Sequence, residues 1–534
     1  MAEKTKKAQI FKRDNTWWSK NWFYTILIAV AVIGGVCAFL VVPFAVPQPF
    51  SKDDSISTLR QAVLVATGGV LAILTLWENR RKNDQEHMRQ VHAERRARYA
   101  KAIEQLADEK APIRLGGVYT LIKLVDEWLA DEKTLPNEEE RREEGQVIIN
   151  SLCAYIRSPF DLASKTEVLS QNETPENYEG GNQQFIKDQA RLREEKELRL
   201  TILEAVRNRL NKGTRIHKNG TQKLLPGQWS GFDYDFSNTV FFYPVGFNNS
   251  YFDASSNFSG VKFTEKANFY RAEFTEKANF YRAEFTKDTD FYRAKFTKDT
   301  DFYRAKFTEK ANFYEAEFTE KANFYKAEFT EKANFSWAKF TDADFSGAKF
   351  TKDTDFYRAK FTKKANFYRA KFTEKTNFSE TEFLESADFV EAEFQFLVTN
   401  FSKAEFFWSA NFSGAGFAGF TDFTEAIFTD ANFSGATFTG NANFTEATFT
   451  DANFSGTTFE EKPRFEYTLD NKTCKARFSC KANPEDYNFK VSHNSPYKIE
   501  TEEQEHDNKK FIIPKGAELF DPDEPSEQGN NDGS

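Results

Sequence analysis

The feature that most constrains the fold is a phenylalanine that recurs at alternating intervals of six and five residues. The series continues with few faults to Phe459 and begins with Phe263, Phe269, Phe274, Phe280, Phe285, Phe291 and Phe296. In an α-helix, at about 100° per residue, Phe263 and Phe269 would lie about 240° apart, so no single apolar stripe forms. In a strand, the alanine and phenylalanine of "ANF" or "AEF" are two residues apart and point to the same side. The pattern therefore predicts short strands.

A strand and a turn every five or six residues predict a coil whose successive turns pair as parallel ladders. Its interior would hold phenylalanine and alanine, and the repeat phenylalanines are read as structural rungs. The composition agrees, since 59 of the 534 residues are phenylalanine and only two are methionine. A solenoid grows by adding units to one continuous core, so the chain length does not predict a number of domains.

These cells resemble the pentapeptide-repeat family, in which a small residue stands two places before a central leucine or phenylalanine. The matching pairs are Ala267 with Phe269, Ala272 with Phe274, Ala278 with Phe280 and Ala431 with Phe433. The resemblance implies a right-handed, four-sided β-helix with four cells per coil and about ten coils over residues 230–465. Many alternate cells, such as "FTEKAN", carry a sixth residue, which we expect to bulge at a corner.

Two apolar runs near the N-terminus predict a transmembrane hairpin over residues 22–43 and 58–78. The first, "FYTILIAVAVIGGVCAFLVV", is long enough to cross a bilayer and too long for a signal-peptide core, and no cleavage site follows it. The second needs Arg60 to reach the interface. The pairs Gly34-Gly35 and Gly68-Gly69 either let the two helices pack closely or reflect only the frequency of glycine in membrane helices.

Charge around these spans predicts that both ends of the chain are cytoplasmic. The N-terminus (residues 1–21) is basic, Arg80, Arg81 and Lys82 follow the second span, and the short external loop (residues 44–57) carries Asp53 and Asp54. Positive residues remain on the cytoplasmic side. With the bacterial resemblance, the predicted location is the bacterial inner membrane.

Helical periodicity marks the segments between the membrane spans and the repeats. The spacing of apolar residues over 84–158 predicts a small α-helical domain, with Val118, Leu121 and Val125 on one face. A polar linker is expected over 159–184 and a helix leading into the repeats over 185–212. After the repeats, residues 466–520 are expected to cap the last coil and residues 521–534 to be disordered.

The outer surface offers two candidate partner-binding features. If a coil contains two eleven-residue units, the "FYRA" turns fall on two opposite edges, with Tyr270 and Arg271 at the start of one. Tyrosine with arginine suits contact with proteins or nucleic acids, but neighbouring acidic residues also allow a plain solvated edge. The rhythm breaks once, near Phe396, Phe407 and Trp408, which indicates either a corrected register slip or an exposed aromatic docking patch.

No set of residues in the repeats predicts catalysis or a cofactor. All five histidines and all four cysteines lie outside the main repeat array. A zinc site from Cys474, Cys480, His493 and His506 would not have the usual ligand spacing, and no phosphate-binding or dinucleotide motif is present. We therefore expect no enzyme activity, no cofactor and no metal site.

The prediction for function is a non-enzymatic, membrane-anchored scaffold that presents a cytoplasmic β-helical rod to protein partners. The alternative is a regulator or inhibitor of a nucleic-acid enzyme, because some pentapeptide-repeat proteins mimic DNA through an acidic rod. Residues 261–380 sum to about +5 and residues 381–460 to about −11. A membrane anchor would keep the rod from the chromosome, so direct nucleic-acid partners are not expected. The partner and the oligomeric state stay open.

Overall fold

The computed structural model describes residues 16–45, 56–216, 222–470 and 472–523. The chain separates into two compact units, Met1–Arg98 and Tyr99–Ser534. Most of the predicted basic N-terminus, most of the predicted external loop and most of the C-terminal tail lie outside the described residues.

The first unit contains two apolar helices. Helix α1 (Thr16–Val36) continues through a π-helical turn (Cys37–Val41) into α2 (Val42–Ala45), and α3 spans Ile56–Leu106. By length and composition, both helices could cross a membrane, and few of their apolar side chains are buried. The two helices therefore indicate membrane association. Helix α3 also corrects the predicted boundaries, because the second span and the first helix of the predicted helical domain form one continuous helix.

One of the four membrane-segment glycines lies at a close helix contact. A Cβ added to Gly34 would be 2.4 Å from the Thr67 side chain, whereas nothing lies within 4 Å of one added to Gly35, Gly68 or Gly69. Close packing of the hairpin therefore accounts for Gly34 alone. The Arg60 guanidinium lies 5.8 Å from the centre of the Phe39 ring.

The second unit begins with a helical module. It contains the end of α3, helices α4 (Ala111–Leu129) and α5 (Glu138–Arg157), a 3-10 turn (Asp161–Lys165), α6 (Thr166–Leu169) and α7 (Gly181–Arg209). The expected polar linker is wrong for part of its length, because Leu162 and Leu169 are each only 4% exposed and belong to the core. Scattered single leucines have no helical period, which is why the sequence pattern missed them.

Short strands after an antiparallel pair (Asn211–Ile216 and Gln222–Pro226) form a four-sided solenoid. Following the chain around a coil, we number its faces one to four and name each corner by the faces it joins. Face one contains Tyr234–Asp235, Ser256–Asn257, Ala278–Asn279, Thr300–Asp301, the second halves of Glu317–Asn323 and Lys339–Asp344, Ala365–Asn366, Ala387–Asp388, the second halves of Glu405–Asn411 and Ile427–Asn432, Ala452–Asn453 and Tyr487–Asn488.

The second face forms a separate parallel sheet of eleven strands: Val240–Phe241, Lys262–Phe263, Glu284–Phe285, Lys306–Phe307, Glu328–Phe329, Lys349–Phe350, Lys371–Phe372, Glu393–Phe394, Gly416–Phe417, Thr437–Phe438 and Thr458–Phe459. The third face has ten: Val245–Gly246, Ala267–Asn268, Thr289–Asp290, Ala311–Asn312, Ala333–Asn334, Thr354–Asp355, Thr376–Asn377, Val398–Asn400, Phe420–Asp422 and Ala442–Asn443.

The fourth face contains Tyr251–Phe252, Glu273–Phe274, Lys295–Phe296, the first halves of Glu317–Asn323 and Lys339–Asp344, Lys360–Phe361, Glu382–Phe383, the first halves of Glu405–Asn411 and Ile427–Asn432, Thr448–Phe449, Arg477–Ser479 and Glu518–Phe520. The expected quadrilateral β-helix of about ten coils is confirmed.

Phenylalanine rings from successive coils stack inside the solenoid. Phe263 pairs in register with Phe285, and their ring centres are 4.7 Å apart with planes 7° from parallel. Rings of different columns meet edge to face, as Phe269 and Phe280 do at 5.6 Å. All seven rungs named from the sequence, Phe263 to Phe296, are 0–1% exposed.

The sixth residue of the longer cells lies at the corner, as the sequence predicted. Where the six-residue cell after Phe318 pairs with the five-residue cell after Phe340, the ladder register shifts between Phe318 and Lys321. Threonines that replace inward alanines in such cells satisfy their hydroxyls locally: Thr289 Oγ1 donates to the Lys287 carbonyl at 3.2 Å. Polar substitution inside the coil is therefore tolerated where a corner carbonyl is within reach.

The helical module covers the first coil of the solenoid. Asp126 of α4 accepts hydrogen bonds from Arg209 (2.7 Å), Gln228 (2.9 Å) and the Trp229 indole (2.9 Å). A Cβ added to Gly145 of α5 would be 2.7 Å from the Phe232 ring. Phe242 and Tyr243, at corner 2–3 of the first coil, are fully buried. The helical module thus covers the end of the solenoid, where unpaired strand edges would otherwise be presented.

The residues after Phe459 close the distal end. Phe478 stacks on Phe449 with ring centres 5.0 Å apart, and Phe489 stacks on Phe454 at 5.8 Å. The hairpin of Thr501–His506 and Lys509–Pro514 buries Phe511 completely. A second hairpin pairs Glu466–Leu469 with Lys472–Lys475. The strands Arg477–Ser479 and Lys509–Pro514 thus both contribute to the closure.

We predict that Phe302→Ala lowers the free energy of unfolding by about 3–5 kcal/mol, because it leaves a ring-sized cavity among stacked neighbours. Urea unfolding of the full chain in detergent, followed by circular dichroism, measures the change. Lys306→Ala, an exposed side chain of the same coil, is the matched control and should change stability by less than about 0.5 kcal/mol. Equal effects of the two substitutions would contradict the prediction.

Candidate functional site

The tight turns at corners 1–2 and 3–4 have one conformation throughout the solenoid. In the 3–4 turn after Asn268, the Tyr270 N–H donates to Asn268 Oδ1 at 2.8 Å, and Arg271 adopts φ 53°. A left-handed residue other than glycine is costly by about 1–2 kcal/mol. Several distal coils place glycine there instead, as at Gly435. The turn geometry explains why "FYRA" and "FSGA" cells are interchangeable.

Tyrosines on these turns form ladders along two opposite edges, as expected from the repeat. On corner 3–4, Tyr270 and Tyr292 have ring centres 5.3 Å apart; on corner 1–2, Tyr281 and Tyr303 are also 5.3 Å apart. Arginines lie over the tyrosines, with Arg293 5.0 Å from the Tyr292 ring centre.

Several arginines of the tyrosine ladders have polar partners within the protein. Arg293 pairs with Glu315 one coil away at 2.5 Å, and Arg369 pairs with Glu391 at 2.6 Å. The first arginine of the ladder, Arg271, donates to Gln222 Oε1 at 2.7 Å. These arginines already have partners within the protein, so the ladders do not by themselves indicate a ligand.

The irregular segment near residues 394–408 has two parts, and these lie on opposite corners of the solenoid. The residues after Phe394 form corner 2–3, which has one residue more than its neighbours; there Phe396 is 36% and Leu397 69% exposed. Phe407 and Trp408, 46% and 67% exposed, lie on corner 4–1. The single aromatic patch considered from the sequence is thus two patches on diagonally opposite edges.

The longer loop at corner 2–3 packs closely against a glycine in the next coil, and that glycine packs against another in the coil after it. The Phe420 N–H donates to the Leu397 carbonyl at 2.7 Å. A Cβ added to Gly419 would lie 2.4 Å from Leu397 Cα, and one added to Gly440 would lie 2.5 Å from the Gly419 carbonyl carbon. The register slip is therefore absorbed by close backbone stacking that only glycine permits.

On corner 4–1, Phe407 and Trp408 follow the inward Phe406 in a six-residue cell. The next coil has a five-residue cell, and the ladder register shifts between Phe406 and Ser409. Other cells place threonine and a charged residue in these positions, as in "FTEKA". The coil is therefore regular at this corner, and what is unusual is only that two aromatic side chains occupy outward positions.

Carboxylates continue the same corner toward the distal end. Asp430 is in register with Ser409, and Asp451 follows one coil later. They line a surface cleft of about 340 Å³ together with Ser409, Asn411, Asn432, Asn453, Glu485, Asp486 and Asn488. Burial, together with the charges of Asp430 and Asp486, raises the pKa of Asp451 to about 6. The cleft thus concentrates negative charge.

Residues considered for metal binding remain apart from this surface. Cys474 lies on a hairpin, Cys480 is buried, and His506 Nδ1 is 3.5 Å from the Asp507 carboxylate. All four cysteines are free thiols. Within the described ranges, no group of three histidine, cysteine or acidic side chains could hold a metal ion.

Sequence reasoning missed a buried polar cluster in the helical module. Arg199, 2% exposed, donates to Glu195 at 2.7 Å and to the Ile156 carbonyl at 2.8 Å, and Tyr155 donates to Glu195 at 3.0 Å. Burial and the neighbouring Glu195 charge raise the pKa of Tyr155 above its ordinary value. The partners are 4 to 43 residues apart in sequence, so no local pattern marks them.

Comparison with protein families identifies the solenoid. A family model described as pentapeptide repeats (9 copies) matches residues 247–295, 291–331, 313–360, 356–399, 401–448 and 423–468. The repeat region of the chain is thus an array of pentapeptide repeats. The matched region contains both tyrosine ladders, both aromatic corners and the first carboxylates of the acidic cleft. Neither the comparison with curated proteins nor that with solved structures gave a match.

We predict that Gly419→Ala destabilises the distal coils by about 2 kcal/mol or more, because its methyl group overlaps the Leu397 backbone and the strand must shift. Limited proteolysis followed by mass spectrometry should show earlier cleavage near corner 2–3. Gly416→Ala is the matched control, since nothing lies within 4 Å of its added Cβ. Equal resistance of both variants and the wild type would contradict this.

The raised pKa of Asp451 predicts a pH dependence of stability. The native state keeps a proton that the unfolded state has lost, so this group lowers wild-type stability as pH rises from about 4 to about 6. Asp451→Asn should therefore be more stable than wild type above pH 6, by about 1 kcal/mol or less after solvent screening, with no difference near pH 4.

Thermal unfolding of both proteins between pH 4 and pH 8 measures this difference. Asp353→Asn is the control, because it removes a 3.1 Å ion pair with Lys332 and should not gain stability at any pH. A constant difference between Asp451→Asn and wild type across the whole range would refute the assignment.

Proposed function

We propose that this pentapeptide-repeat protein is a non-enzymatic scaffold of the bacterial inner membrane, with both termini in the cytoplasm. The apolar hairpin anchors it and the solenoid presents its edges to protein partners. The observation that carries the proposal is the combination, in one chain, of two lipid-compatible helices with a rigid, capped solenoid that exposes aromatic side chains on corners 2–3 and 4–1.

The charge around the apolar helices supports this orientation. Five basic residues precede the first helix and a sixth, Lys20, lies near its start. Arg80, Arg81 and Lys82 follow the apolar part of the second helix. Lys82 donates to the Tyr24 hydroxyl at 3.1 Å, so the basic end of one helix meets an aromatic residue at the start of the other. Aromatic and basic residues at one level are typical of a membrane interface.

Surface binding rather than catalysis fits the solenoid. Its interior is filled by stacked rings, and the acidic residues of the repeats lie on turns and outer strand positions. A rigid β-helix keeps its edge residues at fixed spacings, which reduces the entropy lost when a partner binds. Partner selection then depends on the coils that depart from the consensus cell.

Membrane fractionation tests the anchor. The chain should stay in the membrane pellet after alkaline carbonate extraction and dissolve only with detergent. Replacing both Ile28 and Ile33, which are 63% and 62% exposed, with arginine should release it, because each charge at the centre of a span costs about 2.5–3.5 kcal/mol. The control replaces the solenoid residues Lys306 and Lys339 with arginine. Recovery of the wild type without detergent would refute the anchored scaffold.

A second candidate is a regulator of a nucleic-acid enzyme, favoured by the charge of about −11 over residues 381–460. An acidic solenoid edge would then replace DNA phosphates in the enzyme's groove. Purified full chain should inhibit a DNA-supercoiling reaction, and Asp430→Asn with Asp451→Asn should abolish the inhibition. Absence of inhibition at micromolar concentrations would dismiss this candidate.

A further inference from the structure

One edge of the solenoid combines exposed aromatic side chains with carboxylates that have no basic partner. We define the Trp408 edge as Phe407, Trp408, Asp430, Asp451 and Asp486, along corner 4–1 and into the distal cap. Trp408 is 67% and Phe407 46% exposed, whereas the phenylalanines of the interior columns are fully buried. This edge departs most clearly from the pattern that the rest of the solenoid follows.

The exposed tryptophan on another edge of the solenoid is held by its neighbours. Trp337, on corner 3–4, lies 6.4 Å from the Tyr357 ring centre and 4.9 Å from the Arg358 guanidinium. Within the described part of the chain, no ring stacks on Phe407 or Trp408 and no cation lies over either. Exposed aromatic surface without such contacts is typical of binding sites.

The acidic side chains of this edge differ in the same way from those nearer the N-terminus. There, charges alternate between coils, so that Lys339 pairs with Glu317 at 2.8 Å and Lys371 with Glu393 at 2.9 Å. Residues 381–460 contain a single basic residue, Lys403. In the described residues, no lysine or arginine forms an ion pair with Asp430, Asp451 or Asp486.

Like charges therefore face one another along the edge. Burial is the main cause that raises the pKa of Asp451, and the charges of Asp430 and Asp486 raise it further. Burial likewise raises the pKa of Glu405, with a smaller contribution from the charge of Glu382. Carboxylates that repel one another gain most from a cation that binds to several of them at once. The carboxylates of this edge thus favour a positively charged ligand, and the adjacent aromatic rings favour an apolar group on the same ligand.

We propose that the Trp408 edge binds a basic peptide segment of a protein partner, with an aromatic or aliphatic side chain packed on Phe407 and Trp408 and cationic side chains against the carboxylates. The inference rests on the proposed scaffold function and names its partner class. A nucleic acid or an anionic bilayer does not fit, because phosphate groups would be repelled by the same carboxylates.

The spacing of the coils predicts how far apart the apolar and basic side chains of the peptide should be. Neighbouring coils here are 4.9 and 5.0 Å apart, measured between the stacked rings of Phe406, Phe428 and Phe449. Asp451, two coils beyond Trp408, therefore lies about 10 Å further along the axis. An extended peptide advances about 3.3 Å per residue, so a lysine or arginine about three residues from the apolar anchor would reach it.

The direct test measures peptide binding to the full chain in detergent by fluorescence anisotropy. The probe is a labelled twelve-residue peptide with one tryptophan and with lysines three and five residues after it. We expect Trp408→Ala, and separately the pair Asp430→Asn with Asp451→Asn, to weaken binding at least tenfold. Affinity should also fall as salt is raised.

Matched variants and probes make the result specific. Trp337→Ala removes an exposed tryptophan from another edge and should leave the dissociation constant unchanged. A probe with glutamate in place of lysine, and one with serine in place of tryptophan, should each bind at least tenfold more weakly. Equal binding by wild type and Trp408→Ala, equal binding of the glutamate probe, or no binding of the lysine probe would overturn the inference.

Photo-crosslinking in intact cells separates this inference from the scaffold function. A photoreactive amino acid replaces Trp408, Trp337 or Phe396 in turn. Protein crosslinks from Trp408 support both proposals. Crosslinks only from Trp337 or Phe396 keep the scaffold function and overturn the Trp408 edge. No protein crosslink from any position overturns the scaffold function, and the peptide measurement then decides the edge by itself.

Discussion

Stacked phenylalanine rings hold the coils of the solenoid in register, and the other features of the second unit depend on them. Rings such as Phe285 and Phe307 lie 4.7 Å apart and nearly parallel, which is the distance at which neighbouring strands form their ladder. Ring contact and backbone hydrogen bonding are thus satisfied by the same spacing. A change of one residue in a cell can be absorbed only at a corner, because a shift within a strand would turn a ring outward.

The corners are therefore where this chain varies. Corners 1–2 and 3–4 keep a fixed four-residue turn with a left-handed residue, and their side chains form ladders that satisfy one another. Corners 2–3 and 4–1 accept a sixth or seventh residue, and both exposed aromatic patches lie on them. Near Leu397 the longer loop requires glycine in two successive coils, whereas Trp408 requires no accommodation by its neighbours. The side chain at position 408 can therefore vary without a compensating change in the neighbouring coils.

Both ends of the solenoid are closed by elements with another architecture. The helical module covers the first coil through contacts such as Asp126 with Trp229, and the distal residues add Phe478 and Phe489 to the ring columns. An uncovered coil would present unpaired strand edges and an apolar end surface. Closure leaves the lateral edges as the exposed surface of the solenoid, with a charge that changes from positive to negative along the chain.

The sequence by itself determined the repeat, the inward residues, the apolar helices and the corner position of the extra residue. Each of these follows from a period or a run that is local in the chain. The sequence did not separate Phe396 from Trp408, did not show that 159–184 contributes to the core, and did not show the Asp126 and Arg199 clusters. Those facts depend on residues brought together from distant parts of the chain, which only the tertiary structure decides, because the winding of the coil sets which corners are neighbours and which are opposite.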